Sequence, residues 1–125
     1  MKLNKTQFGI ILATLVTAAL HFSAAFDKHI YPEGPDPLFV LNGLGFLGLL
    51  GAYFLPIPFF QTRHKLVGQV LIGFALLTIA AWLVIWVGFY VIRDGFSFFA
   101  YDSMYGIPAK IAEVALIYFL RADRK

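Results

Sequence analysis

Four long apolar stretches, separated by short polar ones, set the pattern of this chain. Phe8 to Phe26 runs nineteen residues without a charge, long enough to cross a bilayer as a helix. A basic start before an apolar run also fits a signal peptide. The run is long for one and lacks a clean small-x-small exit, so it reads as a retained first helix. Gln7, Thr14, Thr17 and His21 recur along it at spacings of seven, three and four. Such spacing draws one polar stripe down one helix face, which should point into a bundle.

Asp27 to Pro37 is a loop, since its prolines and glycine forbid a continuous helix. Leu38 to Phe60 is the second expected span, with Pro56 and Pro58 ending its regular helix near Leu55. Gly45, Gly48 and Gly51 recur every three residues and allow a neighbouring backbone to come close. Gly43-Leu-Gly45-Phe-Leu-Gly48 also satisfies the dinucleotide-binding expression. No strand precedes it and no acidic ribose partner follows, so it is a chance match. Gln61 to Lys65 is a tight basic turn, and Leu66 to Ile92 is a third span of up to twenty-seven residues. That length predicts tilt or an overhang. Trp86 and Tyr90 suit an interfacial belt. Arg93 to Tyr105 is expected as an aromatic connection lying partly in the interface. A fourth helix follows over about 103–120, with Pro108 in its first turn.

The expectation is therefore an all-α polytopic membrane protein, a four-helix transmembrane bundle forming a single domain over residues 1–125. Composition agrees. The chain is 60% hydrophobic and 14% charged, whereas soluble domains average about 25% charged. With no cysteine, disulfides, thiolate metal sites and cysteine nucleophiles are excluded. Basic residues gather at segment ends and form no stripe, which argues against nucleic acid as a partner. Lys2, Lys5, Arg63, Lys65, Arg121, Arg124 and Lys125 fall on one side with Asp123. Lys28 and Arg93 fall on the other with Asp27, Glu33, Asp36, Asp94 and Asp102. The positive-inside rule then places both termini in the cytoplasm and both long loops outside, and the plasma membrane is the expected location.

Candidate chemistry centres on Lys110 and Glu113, three residues apart on one helix face. Glu113 lies roughly 12 Å from Arg121 along the helix, near the midplane of a core about 30 Å thick. An ionisable group at that depth is costly, and by default it faces protein or water and suggests function. Helix heights allow one polar layer of His21, Asn42, Thr78, Lys110 and Glu113. Such a layer would serve either as a structural register lock or as a binding site. Sole ligation of a pigment or haem by His21 is a further option. A second membrane-depth histidine is lacking, because His29 sits in the outer loop and His64 in the inner turn. His64, between Arg63 and Lys65, reads as a head-group contact. His29, Glu33 and Asp36 form a weak metal candidate, read as a solvated loop. No cofactor, metal or catalytic set is expected. Phe96, Phe98, Phe99, Tyr101 and Tyr105 offer an aromatic surface for anchoring or for docking a partner.

The run Pro37-Leu-Phe-Val-Leu-Asn42-Gly43-Leu-Gly45-Phe-Leu-Gly48, the basic turn and Lys110-Ile-Ala-Glu113 together resemble small uncharacterised four-helix membrane proteins of prokaryotes. The resemblance implies the fold and no assigned activity. Small size, short loops and the lack of catalytic sets lead to the expectation of a non-enzymatic accessory or scaffold subunit. Its expected partners are the lipid bilayer and other integral membrane subunits or further copies of itself. The alternatives are a small binding or transport protein using the Lys110–Glu113 layer, or a pigment- or redox-associated subunit with His21 as ligand.

Overall fold

A computed structural model describes residues 3–28, 32–84 and 96–123, with side chains in the last stretch from Gly106 onward. All regular structure among the described residues is helical. Helix α1 spans Lys5–Ala25. It starts ahead of the apolar run because Asn4 and Gln7 form a capping box: Asn4 Oδ1 accepts the Gln7 N–H at 2.8 Å and Gln7 Oε1 accepts the Asn4 N–H at 3.1 Å. Gln7 thus belongs to the cap and not to the buried stripe.

Helix α2 spans Pro37–Phe54. Asp36 caps it by accepting the Leu38 N–H at 2.9 Å, with Pro37 in the first turn. It stops where expected. Pro56 forces Leu55 into an extended conformation, with ψ 141°. Pro58 then opens a separate single turn, α3 (Pro58–Gln61), so the expected 38–60 span is two elements. Helix α4 spans His64–Ala81 and its helical path continues to Val84. The remainder of the expected third span, with Trp86, Tyr90 and Arg93, lies outside the described residues.

Helix α5 spans Phe96–Asp123, well ahead of the start expected at Ser103. The aromatic stretch from Phe96 is therefore the first part of this helix and not a separate connection. Pro108 lies inside the helix, not in its first turn. Prolines are tolerated in membrane helices because neighbouring groups re-satisfy the freed backbone.

The four long helices form an up-down-up-down ring in the order α1, α2, α4, α5. Each contact pair runs in opposite directions. Gly9 meets Phe119 while Thr17 meets Glu113; Phe22 meets Gly43 while Ala25 meets Asp36. Asn42 meets Thr78 while Tyr53 meets His64. The start of α1, the α2–α4 turn and the end of α5 consequently share one end of the bundle.

Helix α1 buries Ile10, Ala13, Thr14, Thr17, Ala18, His21, Ala24 and Ala25, a stripe at helical spacing made mostly of small or polar residues. Facing it, α5 buries Ala109, Ala112, Glu113, Leu116 and Leu120. Small residues let the two backbones approach, which supports association where no hydrophobic drive exists between helices. Beside the buried Phe46, Leu71, Leu116 and Leu120, many large apolar side chains point outward: Leu12 is 66% exposed, Leu41 63% and Leu77 68%. So much exposed apolar surface would be unfavourable in water and is neutral in lipid. Helices α1, α2 and α4 with its extension are each long and apolar enough to cross a membrane.

Candidate functional site

Four polar residues converge between α1 and α5. Glu113 is fully buried, and both of its oxygens are engaged. Lys110 Nζ donates to Oε1 at 2.9 Å and to Oε2 at 3.2 Å. Thr17 Oγ1 donates to Oε2 at 2.6 Å. Charge-assisted bonds of this kind are the strong ones, and a carboxylate buried away from water requires them. Spacing of three on α5 brings Lys110 to Glu113, while Thr17 reaches across from the buried stripe of α1. Lys110 also holds its ammonium 5.9 Å from the centre of the Trp82 ring, linking the site to α4.

His21 lies one turn beyond Thr17 on the same face of α1. Its Nδ1 is 2.7 Å from the Thr17 carbonyl and 3.3 Å from the Thr17 hydroxyl. Its Nε2 is 3.9 Å from Glu113 Oε2, beyond hydrogen-bond reach. Phe39 and Phe46 of α2 pack on the imidazole with ring centres at 5.7 and 6.0 Å. Thr14, the remaining stripe hydroxyl, donates to the Ile10 carbonyl at 2.7 Å, the usual way a helical threonine satisfies itself.

Asn42 and Thr78 form a second polar pair, between α2 and α4. Asn42 Nδ2 donates to Thr78 Oγ1 at 2.9 Å, and that hydroxyl donates to the Phe74 carbonyl at 2.9 Å. Asn42 Oδ1 is buried with no hydrogen-bond partner. The expected single layer is thus two clusters: His21, Lys110 and Glu113 come together, and Asn42 and Thr78 stand apart with no hydrogen bond between the groups. The cause is angular. Equal height does not bring two side chains together when they project into different grooves of the ring.

Thr17 is the residue that sequence reasoning left out of the site. Its signal was present, since it belongs to the Thr14–Thr17–His21 stripe. A second missed constellation lies at the other end of the bundle. Tyr53 donates a hydrogen bond to Asp123 and packs on His64 with ring centres 4.1 Å apart. His64 Nδ1 is buried without a hydrogen-bond partner, so this histidine is packed against α2 rather than simply extended toward head groups.

The side chains of Phe96, Phe98, Phe99, Tyr101 and Tyr105, the expected docking surface, lie outside what the structure describes. So does His29 of the weak metal candidate, whose Asp36 serves as the α2 cap. No group of three metal-ligating side chains occurs among the described residues. Comparison with protein-family models, with curated proteins and with solved structures finds no match to this chain.

Proposed function

We propose that this chain is a non-enzymatic accessory or scaffold subunit of a larger membrane assembly, built on four transmembrane helices with both termini in the cytoplasm. The observation that carries the reading is the exposure of α2. Only 17% of its apolar window is buried within the chain, against 44% for α1. Leu38, Leu41, Leu44 and Leu47 all face outward, a surface suited to a partner helix as well as to lipid. Interior polar groups are largely spent on one another, which is economical for a structural bundle. The orientation rests on charge: Lys5, Arg63, Lys65 and Arg121 lie at the end shared by the α1 start and the α5 terminus, while Glu33 and Asp36 lie at the other. Helix α5 is the fourth crossing in this reading, and the plasma membrane its location.

The test is purification from the native membrane in mild detergent, with the mass of the intact particle measured. Further subunits, or several copies of this chain, are the expected result; a monomeric particle would overturn the reading. The chain has no cysteine, so Leu41→Cys introduces a single crosslinking site on α2 to identify the neighbour. Glu33→Cys and Lys65→Cys report orientation, since an impermeant maleimide should label only the first in intact cells.

A further inference from the structure

The hydrogen bonds around Thr17 place the ring hydrogen of His21 on Nδ1. The Thr17 carbonyl can only accept, so at 2.7 Å it requires a hydrogen on His21 Nδ1. The Thr17 hydroxyl has one hydrogen, which it gives to Glu113 Oε2 at 2.6 Å. Toward His21 that hydroxyl is therefore also an acceptor, at 3.3 Å. Both contacts demand Nδ1–H. In a neutral imidazole, Nε2 then carries a bare lone pair, and it faces Glu113 Oε2 at 3.9 Å. Two electron-rich atoms confront each other across a gap too wide for a direct hydrogen bond and too narrow for a bridging water.

We propose that His21 and Glu113 form a proton-binding site in which a proton taken up at His21 Nε2 closes this gap into an N–H···O bond that clamps α1 to α5. The proton comes from water, and the cluster passes from net zero (Lys110 positive, Glu113 negative, His21 neutral) to net +1. Among the described side chains, α5 presents Glu113 and Lys110 to the imidazole, and α2 presents Phe39 and Phe46. Access is from one end. His21 lies four residues before the end of α1 at Ala25, roughly 6 Å along the axis, and its side chain keeps 7% exposure while that of Glu113 has none. In the other direction along α1, Thr17 and Thr14 have already committed their hydroxyl hydrogens. The site is therefore placed to load and unload from the Ala25 end of α1.

The experiment is a pH titration of the full chain, labelled with ¹⁵N-histidine and ¹³C-glutamate, in lipid nanodiscs. His21→Asn identifies the His21 signals among those of His29 and His64. Neutral His21 should carry its hydrogen on Nδ1 and gain a second on Nε2 as the pH falls, with the Glu113 carboxyl carbon shifting in the same step. Glu113→Gln should weaken proton binding at His21 about tenfold or more, the usual effect of removing a neighbouring opposite charge. A neutral Nε2–H tautomer, an unchanged midpoint in Glu113→Gln, or a Glu113 shift independent of His21 would each overturn the proposal. The tautomer and the shared step are read on the wild-type chain, so they stand even if the variant does not fold.

Discussion

Thr17 and Glu113, ninety-six positions apart in sequence, meet in a 2.6 Å hydrogen bond at the centre of the α1–α5 contact. It is the hydrogen bond by which α1 satisfies the buried carboxylate. A hydrogen bond to a charged acceptor contributes about 1.5–3 kcal/mol, and interhelical bonds in membranes run lower.

Thr17→Val keeps the shape and removes the hydroxyl, leaving Oε2 short of a donor. Stability should fall by about 1 kcal/mol, whereas Thr17→Ser should retain most of it. Reversible unfolding in mixed detergent micelles gives the comparison. Full stability in Thr17→Val, with the loss confined to Thr17→Ser, would mean that the methyl group, and not the hydrogen bond, matters here.

Lys110 and Glu113 form an ion pair whose carboxylate is fully buried. Removing one member of such a pair strands the other. Lys110→Met should therefore cost about 3 kcal/mol or more. The double variant Lys110→Met, Glu113→Gln leaves no charge behind and should recover most of that loss. A double variant less stable than Lys110→Met would show that the carboxylate is held by Thr17 without help from the ammonium.

Glycines of this chain are not equivalent. A Cβ at Gly45 would stand 2.5 Å from the Phe74 ring, itself packed edge-on to Phe46 at 4.8 Å. Gly45→Ala should destabilise by about 1–3 kcal/mol, as overpacking does. At Gly48 and Gly73 a Cβ meets nothing within 4 Å. Alanine there should be neutral, or stabilising by up to about 1 kcal/mol through helix propensity. The same micelle unfolding assay ranks all three.

The sequence by itself determined the features that depend on neighbours along the chain. Apolar run lengths define the three helices able to cross a membrane, prolines stop α2, and a spacing of three pairs Lys110 with Glu113. Asn4 and Gln7 show the limit of reading by hydropathy, because their capping box lies outside the apolar run that it starts. Only the tertiary structure decided which stripe faces which. Heights along helix axes follow from residue counts, so His21, Asn42 and Thr78 were legible as being level. The rotation of each helix about its axis is fixed by long-range packing, such as Gly45 under Phe74 and the Ala-rich face of α1 against α5. That rotation turned Thr17 toward Glu113 and sent Asn42 to Thr78.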